Sequence, residues 1–167
     1  MTSLQNEVEK LCAYALGQGA PAITGDMVEE LVAKSTETTV FLLAKALVSG
    51  QYETAYNLLD TLFYQREDPI AIVGALAASY LDMVRVRAAL ESGHSYSDAA
   101  QYADYKGRDF RLRNAQQNVR GLPQQVLHQS VHLLLEADLA LKSSRLDGRI
   151  LLEELVAKLL LAAQGDR

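Results

Sequence analysis

The sequence predicts an all-α protein, organised as a helical bundle that follows a shorter helical segment. Apolar residues recur at helical spacing along the 167 residues, and no alternating strand pattern interrupts them. The breaks between these segments carry capping residues, glycine or proline, which start and stop helices. One predicted helix, residues 40–48, is apolar on nearly every side, with only Lys45 charged. Such a helix must be covered all round by protein. Because a small domain rarely achieves this alone, we expect this chain to assemble with something else.

The N-terminal segment is predicted to hold two helices. The first spans about 7–16 and ends near two glycines, and the second begins with Thr24 as N-cap and runs to about Ala33. The polar stretch 34–38 is the best candidate for a domain boundary. We therefore divide the chain into 1–36 and 37–167. Two helices cannot bury a core by themselves, so we expect the chain to be a fragment whose first part completes a larger domain.

Four further helices follow, with two shorter elements between them. A stripe of apolar residues places a helix at 52–64, and Asp68 as N-cap with Pro69 at the first position opens another that runs to about 91. Short helices are predicted at 95–103 and 109–119, and long ones at 123–143 and after the N-cap Asp147. The helix that starts at Pro69 is assigned this inner face: Val73, Leu76, Ala77, Tyr80, Leu81, Val84 and Ala88.

Composition excludes several classes of function. The only cysteine is Cys12, no Gly-rich phosphate loop or nucleophile elbow is present, and no signal-peptide pattern opens the chain. No apolar run reaches the roughly 20 residues that a membrane span needs. We therefore expect a cytoplasmic protein with no catalytic residues, no cofactor, no metal and no membrane partner.

One basic run departs from the net charge of −5. It holds five cations and one acid, and its cations are Lys106, Arg108, Arg111, Arg113 and Arg120. Such a run can attract phosphates. An ordinary solvated helix face has the same appearance, so DNA, an acidic partner and plain solvent all stay open as what this run faces.

The same region resembles a helix-turn-helix, which gives an alternative function. A short helix, a turn through Gly107 and the helix that carries Arg111 and Arg113 would place those arginines toward a DNA major groove. Helix pairs with a glycine between them are also common for reasons of packing alone. The alternative is a DNA-binding or regulatory helical domain.

Two groups on the helix 123–143 also have spacing that invites a function. His128, His132 and Glu136 recur at intervals of four, but Gln129 stands where a zinc-binding His-Glu-x-x-His motif has glutamate, so we predict a solvated face. Asp138 precedes Lys142 by four residues, the favourable order for an intrahelical ion pair. We interpret that pair as structural.

Taken in order, the apolar patterns resemble the delta subunit family of the bacterial DNA polymerase III clamp loader. The matching segments are 6–11, 23–28, 41–47, Gly50, 55–62, 68–69, 135–142 and 152–156. Each segment is a packing pattern, and their order and spacing carry the resemblance. Ser144 departs from the family pattern, which often has glycine there.

This resemblance implies that 1–36 end a helical lid domain and that 37–167 form a collar domain. It implies tau/gamma-type and delta-prime-type loader subunits as partners, and contact with the sliding clamp and DNA through the complex and a preceding domain. No intrinsic activity is implied, although the parent complex belongs to a DNA-directed DNA polymerase, a nucleotidyltransferase. Val40, Phe41, Leu43 and Leu47 are expected to form either a subunit interface or internal packing. Alone, the chain is expected to be a monomer or a weak homo-oligomer.

Overall fold

The computed structural model describes residues 3–17, 19, 22–23, 36–102, 105 and 109–165. All regular structure in these residues is helical, as predicted. The elements are α1 (Ser3–Gly17), α2 (Thr36–Val48), α3 (Tyr52–Tyr64), α4 (Pro69–Glu91), a 3-10 helix (Tyr96–Tyr102), α5 (Asp109–Asn118), α6 (Gln124–Ser143) and α7 (Gly148–Gln164). The helix predicted from Thr24 to about Ala33 lies outside the described residues.

The chain forms two compact units, Met1–Ser35 and Thr36–Arg167. In the first unit α1 buries Leu11 and Ala15. The second unit contains all the other described helices and one continuous hydrophobic core. The interpretation of residues 1–36 as the end of a lid domain stays a prediction.

Local capping accounts for where the bundle helices begin. The Asp68 carboxylate accepts hydrogen bonds from the amides of Ile70 and Ala71, at 2.8 and 3.2 Å. Asp147 accepts in the same way from the amide of Arg149 at 2.7 Å. These bonds satisfy amides that have no partner inside the helix, so both predicted N-caps are confirmed.

Helix α4 is the centre of the bundle and contacts α2, α5, α6, α7 and the 3-10 helix. The start of α7 lies close to the start of α4 and to Leu141 near the end of α6. A Cβ atom at Gly148 would lie 2.7 Å from Cγ of Pro69, so this junction requires glycine. Because the start of α4 lies beside the end of α6, the two helices run antiparallel.

Helix α2 is covered by its own domain, which corrects the first expectation drawn from it. Val40, Leu43 and Leu47 are buried, with exposures of 2%, 0% and 0%. Helices α3, α4 and α7 provide the cover. A small helical domain therefore suffices to bury this helix, and its apolar surface is no argument for assembly.

The inner face assigned to α4 is wrong in part. Val73, Leu76 and Tyr80 are buried, and Ala77 and Val84 pack against the core, as predicted, but Leu81 is 39% exposed. Ala88 is also exposed, whereas Asp82, Met83 and Val86 are buried instead. The periodicity misled because α4 is apolar on nearly all sides from Pro69 to Leu81, and apolar spacing then does not single out the covered side.

Helix α4 also corrects the expectation that no apolar run is long enough to span a membrane. Its 23 residues are long and apolar enough to cross a membrane by length and composition, although no run of that kind was expected. Its contacts with five other helices explain much of this apolar character. In the bundle it is the central core helix.

Candidate subunit interface

One side of α4 is only partly covered by the bundle and remains apolar. This α4 outer face consists of the exposed Ile70, Gly74, Leu81 and Ala88, together with Ala77 and Val84, which are partly buried against the core; all six share one side of the helix. Ile70 and Leu81 are 40% and 39% exposed. None of the six carries a charge or a side-chain hydrogen-bonding group. An uncharged helix side of this kind resembles the core of a protein interface more than a solvated surface.

Gly74 marks the middle of the α4 outer face. A Cβ atom at this position would meet nothing within 4 Å outside its own helix turn, so the domain itself does not require glycine there. Glycine inside a helix costs roughly 0.5–1 kcal/mol relative to alanine. A glycine with no neighbour on an apolar helix side allows another backbone to approach closely.

The C-terminal end of this face opens into a groove of about 390 Å³. Its apolar wall comes from α4, and its polar wall from the 3-10 helix and the turn before it. The lining residues are Val84, Arg85, Ala88, Ala89, Ser92, His94, Asp98 and Gln101. His94 Nδ1 lies 3.8 Å from Asp98 Oδ2. The groove therefore continues the α4 outer face toward a polar edge.

Beside this face, a buried polar cluster joins α4 to the segment that follows it. The Asp82 carboxylate is the centre of the cluster and is 2% exposed. Arg111 donates to Asp82 Oδ2 from Nε at 2.8 Å and from Nη2 at 2.7 Å. Arg85 Nη1 lies 3.2 Å from Asp82 Oδ1. Because the carboxylate is paired twice, its burial is compensated.

Tyr105 completes the cluster. Its hydroxyl donates to Asp82 and accepts from Arg85 Nη1 at 3.1 Å. Burial raises the pKa of Tyr105, and the hydrogen bond to Asp82 raises it further. The phenol thus stays a donor, and the cluster fixes α5 and Tyr105 against α4.

Sequence reasoning missed Asp82 and Tyr105. The available signal was that Asp82 is the first charged residue of an otherwise apolar stretch beginning at Pro69. Its main partner, Arg111, is 29 residues further along the chain. Nothing in the local pattern indicates that the two meet.

The basic run divides between different environments. Lys106 and Arg108 lie outside the described residues. Arg111 is bound by Asp82, and its side chain is 21% exposed. Arg113 and Arg120 are exposed on the surface. Among the described residues of this run, Arg113 and Arg120 are therefore the cations that are accessible to solvent.

Two features speak against the helix-turn-helix alternative. The element that would be its first helix is a 3-10 helix of 7 residues rather than an α-helix. Arg111, expected to reach DNA, is held inside the domain by Asp82. The pair of elements packs on α4 instead.

The polar groups on α6 lie at the surface. Lys142 Nζ is 2.6 Å from Asp138 Oδ2, with side chains 53% and 28% exposed, so this pair stabilises the helix only slightly. His132 Nε2 lies 3.3 Å from Glu136 Oε1. His128 Nε2 lies 3.4 Å from Gln124 Nε2. Within the described part of the chain, no three potential ligands converge on a metal position.

Phe41 is the one member of the predicted α2 set that reaches the surface. It lines a groove of about 340 Å³ together with Phe110 of α5 and Ala78 of α4. Val40 forms the floor of this groove, while Leu43 and Leu47 are fully buried. The other three are therefore packing residues in this fold.

These features define a class: a helical domain with a continuous core, an internal polar cluster and an uncharged helix side turned outward. Comparison with known proteins makes the class specific. Residues 37–159 match the family model described as DNA polymerase III delta subunit, C-terminal domain. The chain belongs to this family, which confirms the resemblance seen in the sequence.

A sequence match and a solved structure, both of the Bacillus subtilis delta protein, support the assignment. The chain is 26% identical over 160 residues to DNA polymerase III subunit delta, a match covering 96% of this chain and 45% of that protein. The solved structure of the DNA clamp loader delta protein superposes with a TM-score of 0.76 and 26% identity, covering 93% of this chain and 44% of the other. The chain thus spans somewhat less than half the length of that delta protein.

Proposed function

We propose that this chain is an assembly module of a bacterial clamp loader, the complex that places the sliding clamp on DNA during replication. In this role it binds tau/gamma-type and delta-prime-type subunits and performs no catalytic step itself. It reaches the clamp and DNA through the complex. Its place of action is the bacterial cytoplasm.

The observation that carries this proposal is the α4 outer face. The residues of this face are uncharged, and two of its large apolar side chains are about 40% exposed. Depletion of charge is typical of the core of protein interfaces, where each buried charge would need a partner. Membership of the delta family gives the surface a class of partner, namely the helical domains of other loader subunits.

The position of α4 in the bundle supports the same conclusion. The helix contacts five other helices on its remaining sides, so its outer face is held on a rigid element. The Asp82 cluster fixes the neighbouring α5 segment against it. A rigid apolar surface loses little conformational entropy on binding, which favours stable assembly.

A single substitution on this face tests the proposal. Gly74→Arg adds a long charged side chain where the domain leaves open space, and it replaces glycine by a better helix former. We expect the variant to fold but to lose co-elution with full-length tau/gamma and delta-prime subunits on size exclusion. The matched control is Leu161→Arg, which adds the same charge at a 63% exposed position on α7.

The outcomes separate cleanly. If the unmodified chain, folded by circular dichroism, does not co-elute with full-length partners, the assembly function is wrong. If both variants co-elute like the unmodified chain, assembly uses another surface than the α4 outer face. Without partners, sedimentation velocity will show whether this face leaves the chain monomeric or weakly self-associated.

A further inference from the structure

We propose that the outward side of α5 binds single-stranded DNA. This α5 outer face consists of Phe110, Arg113 and Gln117, continued by Arg120 in the turn after the helix. Their spacing places them on one side, opposite the buried Leu112, Ala115 and Val119. Phe110 is 43% exposed, although large aromatic side chains usually lie inside. A site with one exposed ring and two arginines is unlike an ordinary solvated helix side.

The electrostatic setting of this face differs from that of the whole chain. The chain carries a net charge of −5, yet no acidic residue occurs from Phe110 to Leu135, although Glu37 of α2 lines a groove together with Phe110 and Asn114. Arg113 and Arg120 form no ion pair with any side chain in the described ranges. Other arginines, such as Arg87 and Arg149, are paired with glutamate. The two guanidinium groups are therefore available to an external anion.

Phosphate fits this arrangement. A guanidinium group donates two parallel hydrogen bonds to phosphate oxygens, which makes arginine well suited to nucleic-acid backbones. Arg113 lies in α5 and Arg120 in the turn after it, seven residues further along the chain. They can therefore contact different phosphates of one strand.

Phe110 favours a single strand over a duplex. An exposed ring binds an unpaired base by stacking, which is worth roughly 1–3 kcal/mol and tolerates any base. In a duplex the base faces are already stacked on each other. Gln117, between the two arginines, can hydrogen-bond to base edges or to the backbone. An acidic protein surface would use the arginines but would gain nothing from base stacking.

The test is fluorescence anisotropy of the full chain with a labelled 25-nucleotide oligothymidine across a series of salt concentrations. We expect the double variant Arg113→Ala/Arg120→Ala to bind at least about tenfold more weakly. Its slope of log affinity against log salt should be shallower by about 1.4, since each phosphate contact on a single strand contributes about 0.7. Phe110→Ala should weaken binding by about 5-fold to 150-fold.

The matched control is Arg66→Ala/Arg145→Ala, which removes the same charge from exposed positions elsewhere in the chain. It should retain the affinity and the salt slope of the unmodified protein. No binding by the unmodified chain at low salt, or an equal loss in the control, would overturn the proposal. Equal affinity for duplex DNA with no effect of Phe110→Ala would likewise reject the single-strand assignment.

Discussion

Helices α2 and α4 are both rich in apolar residues, but the bundle buries them to different extents. Helix α2 is apolar on nearly every side, and so is α4 from Pro69 to Leu81; this property predicts complete cover by protein. Helix α2 receives that cover inside the domain, where Leu43 and Leu47 are fully buried. Helix α4 is buried on several sides, but Ile70 and Leu81 remain about 40% exposed. An apolar helix therefore indicates that it must be buried, but it does not indicate whether its own domain or another protein buries it.

Length and position explain the difference. Helix α2 has 13 residues and is enclosed by α3, α4 and α7. Helix α4 has 23 residues, and its neighbours pack on its other sides. In the described part of the chain, a Cβ atom placed at Gly74 would meet no neighbour within 4 Å. The exposed apolar surface consequently follows from topology, because the number of available helices limits how much of the central helix can be covered.

The largest expected effect comes from truncating matched leucines on the two helices. Leu47→Ala in α2 should lower the free energy of unfolding by about 2–5 kcal/mol, because it leaves a cavity at a fully buried site. Leu81→Ala on the α4 outer face should cost less than about 1 kcal/mol, since that side chain is already partly hydrated. Urea denaturation followed by circular dichroism measures both. Equal losses would show that the α4 outer face is packed like the core.

Alkaline pH tests the covered side of α4. Burial raises the pKa of Tyr80 well above its usual range. In the unfolded chain the same phenol ionises near pH 10, so only the unfolded state loses the proton just above that pH. Stability is therefore complete below about pH 10 and falls as the pH rises further, by up to about 1.4 kcal/mol per pH unit for this residue.

Urea titrations at pH 8 and pH 11 measure the effect. Tyr80→Phe should reduce the loss of stability between these two pH values, because it removes one ionisable phenol from the unfolded state. Tyr64→Phe is the control, since Tyr64 is 90% exposed. The same pH dependence in all three proteins would mean that Tyr80 reaches water.

The smallest expected effect comes from a substitution on the α4 outer face. Gly74→Ala should raise the free energy of unfolding by about 0.5–1 kcal/mol, because alanine is the better helix former and its methyl group meets no neighbour. Thermal denaturation of the isolated chain measures the change. A destabilised variant would indicate that some part of the chain already packs against Gly74.

Local sequence signals predicted much of the fold. Asp68 with Pro69 and Asp147 mark helix starts that the structure shows at the same positions. In α7 the buried residues Leu152, Leu155, Val156, Leu159 and Ala163 follow the spacing of an amphipathic helix. These signals succeed because caps and amphipathic spacing depend on neighbours within a few residues along the chain.

The candidate sites were less accessible to sequence reasoning. Leu81 and Ala88 were assigned to the inside because an apolar helix gives no contrast between its sides. Asp82 went unnoticed because its meaning depends on Arg111 and Tyr105, which only the folded chain brings to it. For the same reason Arg111 was grouped with Arg113 and Arg120, although it forms an ion pair with Asp82 inside the domain.

By itself, the sequence determined the helical class, the helix starts and the family to which the chain is similar. All three depend on the order and spacing of residues along one dimension. Tertiary structure decided which side of α4 remains exposed, which arginines are accessible to solvent and which helices bury α2. These properties depend on contacts between residues far apart in the chain, where the packing of one helix determines what surface is left on another.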